Sequence, residues 1–113
     1  IQMNGKEVFT FAVSKVPEAV KNLLSREKVP CEDIRYYLLH QANERIIRSA
    51  ARRIGEDISK FPMNMDEYGN TSSASLLILL DEVKKSGKLQ RGDKLVLAGF
   101  GGGLTYGASL IEY

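Results

Sequence analysis

The run Leu76-Leu77-Ile78-Leu79-Leu80, preceded by Thr71-Ser72-Ser73-Ala74-Ser75, is the feature that most constrains what this chain can fold into. Read as a helix from about Ser72 to Ser86, closed by Gly87, it is apolar all around for more than a turn. Such a helix has no face to give to water and must be covered on every side. The small residues of its first turns let another backbone approach closely, and five large aliphatics exceed what one face of a small sheet requires. Either it is the central helix of a three-layer sandwich, or part of its cover comes from outside this chain.

The remaining elements point to an α/β domain. Val8, Phe9, Phe11, Ala12 and Val13 form a nearly continuous apolar run, which predicts a strand over Glu7 to Val13 covered on both faces. Asn4-Gly5 before it is a hairpin signal. With so little chain ahead of that turn and no initial methionine, the sequence reads as a domain cut from something longer. Ser14 then starts a helix with Pro17 in its first turn, Glu18 at the positive end of its dipole, and Ala19, Val20, Leu23 and Leu24 at helical spacing. Pro30 ends it. Tyr36 to Leu39 reads as a short buried strand, and Asn43 caps a helix running to about Ile54, with Gly55 as the stop. A loop with Pro62, Asp66 and Gly69 leads to the apolar helix. Lys94 to Phe100 and Thr105 to Tyr113 form a closing strand pair around Gly101, Gly102 and Gly103. The expected architecture is three-layer α/β/α, with a mixed, mostly parallel five-stranded sheet ending in an antiparallel hairpin.

Composition excludes several classes. The chain has 113 residues, of which 43% are hydrophobic, enough for one globular domain over 1–113. Sixteen basic residues against 14 acidic ones leave a net charge of +2, which gives no reason to expect nucleic acid or membrane binding. A lone cysteine, Cys31, forms no internal disulfide, and neither a secretory leader nor a membrane-length apolar run is apparent. A cytoplasmic setting is expected.

His40, the only histidine, stands at the carboxyl end of Tyr36-Tyr37-Leu38-Leu39, where open parallel sheets place their ligand crevices. Structural histidines are common, so position alone does not assign it a reaction. Asn70 precedes the apolar helix, where it can serve as a cap, as a ligand contact, or as both. The turn Gly99-Phe100-Gly101-Gly102-Gly103-Leu104 joins two strands instead of opening a helix, which argues against a dinucleotide site. Its glycines permit a tight turn, and equally the approach of a ligand to bare backbone amides, as in an oxyanion hole. On the helix after His40, Ile46, Ile47, Ala50, Ala51 and Ile54 share one face. Arg45, Arg48, Arg52 and Arg53 share the other, a basic stripe suited to phosphate or to an acidic protein.

Three segments carry a resemblance. His40-Gln41-Ala42-Asn43-Glu44-Arg45-Ile46, Gly69-Asn70-Thr71-Ser72-Ser73-Ala74-Ser75 and Gly99-Phe100-Gly101-Gly102-Gly103-Leu104-Thr105 resemble, in order, signature segments of the beta-ketoacyl-acyl carrier protein synthase III family of condensing enzymes. Nearly the whole chain resembles the C-terminal half of that family. Departures are mild: Ser73 replaces a usual alanine, Tyr106 a common tryptophan, and Leu39 a proline often found before the histidine.

The resemblance implies a thiolase-like fold of two similar halves that pack their central helices together. It implies an acyltransferase that condenses an acyl thioester with malonyl-acyl carrier protein, by decarboxylative Claisen chemistry, to initiate fatty acid biosynthesis. His40 and Asn70 would be catalytic, the Gly102 amide would belong to an oxyanion hole, and Phe100 would line the substrate pocket. Gln41, Ala42, Asn43, Glu44, Arg45, Arg52 and Arg53 would meet the acyl carrier protein. No cofactor or metal is implied, since acyl-CoA and malonyl-acyl carrier protein are substrates. Implied partners are the N-terminal half, which carries the nucleophilic cysteine, the carrier protein, and a second copy in a homodimer. Cys31, in a charged Glu32-Asp33 loop with nothing to activate a thiolate, does not replace that cysteine. On its own the chain would not complete a condensation, and a non-catalytic, self-associating or carrier-binding fragment is the alternative. A hydrolase using Ser72 or Ser75 with His40 ranks far below, since neither serine sits on a nucleophile elbow.

Overall fold

The computed structural model describes residues 5–40, 44–63, 74–101 and 105–113, without the side chains of 5–8, 74–77, 100, 101 and 105. Helix α1 spans Gly5–Glu27, strand β1 Ile34–Leu39, helix α2 Glu44–Ile54, helix α3 Ala74–Lys85, strand β2 Lys94–Gly101 and strand β3 Thr105–Glu112. Short 3-10 turns at Cys31–Asp33 and Ile58–Lys60 complete the order.

The strand expected over Glu7 to Val13 is instead the first half of α1, which runs unbroken through Ser14. Aromatic and β-branched residues gave that segment a strand-like composition. Its period is nonetheless helical: Ala12, Val13, Val16, Val20, Leu23 and Leu24 are all buried, and Phe9 continues the stripe by one turn. Tertiary packing on that stripe overrides composition. Pro17 therefore lies inside the helix and not in its first turn, where it leaves the Val13 carbonyl without its helical donor. Near that interruption the Ser14 hydroxyl donates back to the Thr10 carbonyl at 2.9 Å and the Phe11 carbonyl at 3.3 Å. The helix closes on Lys28, a non-glycine residue at φ 57°, with the Val29 amide donating to the Leu24 carbonyl at 3.0 Å.

The sheet has three strands among the described residues, in the order β1-β2-β3, where five were expected. With α1 helical from Gly5, the strand expected over Glu7 to Val13 is one of those not found. β1 and β2 are parallel, and β2 and β3 form the anticipated antiparallel hairpin from Lys94↔Glu112 to Gly101↔Thr105. Helices cover both faces. α1 and α2 pack on the face carrying Tyr37, Leu39, Val96 and Ala98, whereas α3 brings Leu79 and Val83 to the face carrying Tyr36, Leu38 and Leu95.

A register shift between Ile34 and Tyr36 breaks the alternation of β1, so that Ile34 joins Tyr37 and Leu39 on the α1/α2 side and Arg35 is left exposed. Tyr37 is fully buried, stacks on Phe61 with centroids 4.8 Å apart, and donates its hydroxyl to the Cys31 carbonyl at 3.2 Å. Burial, with Glu56 nearby, pushes its phenol well above the usual range. Of the described side chains in the apolar run, Leu79 is 2% exposed, while Ile78 and Leu80 are partly open.

α2 ends as expected at Gly55, φ 88°, whose amide donates to the Ala51 carbonyl at 2.9 Å. A Cβ there would meet nothing within 4 Å, so a substitution strains the backbone alone. Gly55→Ala is expected to destabilise the fold by about 1 kcal/mol, and Lys28→Gly, which relieves the same strain at the end of α1, to stabilise it by a few tenths. Thermal unfolding of the two variants checks the opposite signs.

Candidate active site at the carboxyl end of the sheet

Parallel pairing brings the chemistry to one end. Leu39 pairs with Ala98, and the next amide, that of His40, donates to the Ala98 carbonyl at 3.0 Å. His40 therefore leaves the sheet from a backbone position fixed by both strands. The same end of β2 continues into Gly99, Phe100 and Gly101, which pair with Gly107, Tyr106 and Thr105. Thus the histidine and the mouth of the glycine hairpin share the carboxyl end of the parallel pair, where the sequence placed the crevice.

The His40 imidazole is half-buried, and the loss of hydration holds its pKa below the ordinary histidine range. It is neutral at pH 7. A neutral imidazole offers one N–H donor and one acceptor, and donates a hydrogen bond without needing a proton from solvent.

Four residues beyond His40, α2 begins at Glu44 and Arg45. Its apolar stripe, Ile46, Ile47, Ala50, Ala51 and Ile54, is buried as expected, so the opposite face must look outward. Arg45, Arg48, Arg52 and Arg53 are all exposed on it. The stripe is not uniformly basic in effect. Glu44, expected among the carrier-contacting residues, accepts from Arg48 at 2.7 Å, an i,i+4 pair that removes one cation's net charge from the face. Arg45 sits over the ring of Phe9, its guanidinium carbon 5.1 Å from the centroid. Farther along, Arg48, Ala51, Arg52, Glu56, Asp57 and Ile58 line an open cleft of about 320 Å³.

Two aromatic contacts of α1 flank this end of the molecule. Phe9 meets Arg45 on one side, and Phe11 meets Tyr106 edge-on with centroids 5.5 Å apart on the other. Sequence reasoning missed Phe9 because it placed the residue in a strand. Its helical phase with Ala12 and Val16 was the available signal. A second cleft, of about 340 Å³, opens on the α3 face between Tyr36, Met63, Leu79 and Val83, and its described lining includes none of the expected site residues.

Asn70, Gln41, Ala42, Asn43 and Gly102 lie outside the described residues, as do the Asn4 turn and the start of the apolar helix at Ser72. Phe100 is placed by its backbone, opposite Tyr106. Arg45, in the first turn of α2, thus follows His40 closely, whereas Arg52 and Arg53 stand in the last turn of the same helix. Cys31 is half-buried away from them, and its backbone carbonyl serves as the acceptor for Tyr37.

Comparison with known proteins bears directly on this arrangement. The model of the family described as 3-oxoacyl-[acyl-carrier-protein] synthase III C terminal matches residues 24–113. The chain is 51% identical over 112 residues to beta-ketoacyl-[acyl-carrier-protein] synthase III of Clostridium kluyveri, covering 99% of this chain and 35% of that protein. It is 48% identical over 113 residues to the synthase of the same name from Clostridium botulinum, covering all of this chain and again 35% of the relative. Among solved structures, 3-oxoacyl-[acyl-carrier-protein] synthase III from Aquifex aeolicus superposes with a TM-score of 0.96 at 41% identity, covering 100% of this chain and 37% of that one. The chain therefore spans about a third of the length of the relatives it matches. Since that family model matches residues 24–113, most of the sequence, the chain belongs to the family of 3-oxoacyl-[acyl-carrier-protein] synthase III C-terminal domains.

Proposed function

We propose that this chain is the C-terminal portion of an acyltransferase that condenses an acyl thioester with malonyl-acyl carrier protein at the start of fatty acid synthesis. The observation that carries the reading is the placement of a neutral, half-buried His40 at the carboxyl end of β1, beside the hairpin mouth and the first turn of α2. Loss of carbon dioxide from a malonyl thioester leaves an electron pair that is delocalised onto the thioester oxygen. A preorganised N–H donor lowers that barrier, and desolvation strengthens the bond it makes. His40 donates one such bond and Asn70 the second. The carbanion then attacks an acyl thioester held on a cysteine of the N-terminal portion, and the Gly102 amide stabilises the oxyanion that forms there. Phe100 lines the acyl pocket.

Docking is assigned to the exposed face of α2. Arg45, Arg52 and Arg53 attract an acidic carrier protein, with Gln41, Ala42 and Asn43 near the contact and Glu44 moderating it through Arg48. The partly open face of α3, with Ile78 and Leu80, is covered by the N-terminal portion. The whole enzyme is proposed to work as a homodimer in the cytoplasm without a cofactor. Among the described residues no helix is long and apolar enough to cross a membrane.

The test is to mix the chain with a separately produced N-terminal portion and follow carbon dioxide release from malonyl-acyl carrier protein. Activity is expected only in the mixture, and His40→Ala is expected to lower kcat by about 10²- to 10³-fold, the usual cost of one such donor. Two folded, associated halves that release no carbon dioxide would make a binding or scaffold role the better reading.

The pH dependence has a definite sign. Since burial lowers the His40 pKa, the neutral donor persists to more acid pH than a free histidine, whose pKa is about 6.5. The acid limb of the decarboxylation profile that His40→Ala abolishes is therefore expected below pH 6.5. Stability follows the same direction: His40's contribution is complete above the unfolded value and is lost as pH falls through the folded one. Finally, Arg52→Glu with Arg53→Glu is expected to raise KM for the carrier substrate and flatten its dependence on ionic strength, with kcat little changed. Steady-state rates across a salt series check this.

A further inference from the structure

We propose that Phe9 is a positioning residue for Arg45, setting the guanidinium for the carrier protein from an adjacent helix. The proposal rests on the carrier-docking reading of Arg45 given above. Two exposed arginines one turn apart on α2 are held in different ways. Arg48 is paired at 2.7 Å with Glu44, a carboxylate that supplies a countercharge. Arg45 lies over the Phe9 ring at 5.1 Å, and the ring attracts a cation through its quadrupole while supplying no countercharge of its own. The ring contact restricts a long side chain with many rotamers and so fixes where its charge is presented. A side chain ordered in advance loses less freedom when the partner arrives.

Phe9 is well placed for this role because it is itself fixed. It packs against the core stripe of α1, whose next members Ala12 and Val16 are 0% and 3% exposed. The helix that carries Phe9 is held at its other flank through Phe11 on Tyr106, beside the hairpin mouth. α1 thus contacts both α2 and β3, and the position of the Arg45 charge is tied to the core through Phe9.

The test uses the complete enzyme and reads KM and kcat separately for malonyl-acyl carrier protein. The variants are Phe9→Leu, Phe9→Tyr, Arg45→Ala and the Phe9→Leu/Arg45→Ala pair, with thermal midpoints recorded for each. Phe9→Leu keeps apolar bulk and removes the ring, and is expected to raise KM by about two- to fivefold with little change in kcat. Phe9→Tyr retains the ring and should behave like the parent. In the Arg45→Ala background, Phe9→Leu should add nothing further. Equal effects of Phe9→Leu in both backgrounds, or no effect on KM where Arg45→Ala has one, would overturn the positioning role and leave the docking reading standing. An Arg45→Ala enzyme with unchanged KM would remove the docking role of Arg45, and the role of Phe9 with it. Should Phe9→Leu fail to fold, Phe9→Met makes the same comparison.

Discussion

The pairing of two parallel strands sets the geometry on which the rest of this fold depends. β1 and β2 advance together from Tyr36↔Leu95 to Leu39↔Ala98, and the ladder is extended by one bond from the His40 amide to the Ala98 carbonyl. Backbone hydrogen bonds between buried strands are costly to leave unmade, so neither strand slides against the other without orphaning donors and acceptors. The last bond therefore fixes where the histidine departs. Everything proposed to act with His40 is reached from that point: the hairpin mouth through β2, and the basic face through the first turn of α2.

Layering then decides what the exposed surface can do. α2 spends one face on Ile46, Ile47, Ala50, Ala51 and Ile54, and an amphipathic helix so committed must turn its charges to water. α1 closes over that apolar stripe and reaches both α2 and β3. Two aromatic residues of one helix, Phe9 and Phe11, consequently touch α2 at Arg45 and β3 at Tyr106. The α3 side is less complete. Leu79 is buried against Tyr36, Leu38 and Leu95, yet its neighbours Ile78 and Leu80 keep part of their surface.

Much of this was legible in the sequence, and the failures have physical causes. The presence of β1 and the closing hairpin, and the ends of α2 and the apolar helix, could be read because apolar period and stop residues agree there: Gly55 and Gly87 both end helices, and both adopt positive φ. The N-terminal segment was misread where two signals conflict. Phe9, Phe11 and Val13 have strand-forming side chains, and Pro17 looks like a helix start, whereas the spacing of Phe9, Ala12, Val16 and Val20 is helical and prevailed through packing. The same misreading accounts for one of the two strands by which the sheet falls short of the expected five. At the site, a lone histidine after a buried strand was visible, and so was the arginine stripe. The contact between Phe9 and Arg45 was not, since it joins residues from two helices whose relative placement no local pattern encodes. Nor was the diversion of Arg48 to Glu44, which depends on rotamers.

The register shift at Arg35 has a consequence for how this architecture tolerates change. By absorbing one residue on the exposed side before Tyr36, it resets the parity of the strand, so the segment entering from α1 and the segment leaving toward His40 are phased independently. Length changes in the connection from α1 to β1 are buffered at that point, ahead of the ladder between Tyr36 and Leu39. The entrance to the strand has room to shift, while its exit stays locked to the partner strand.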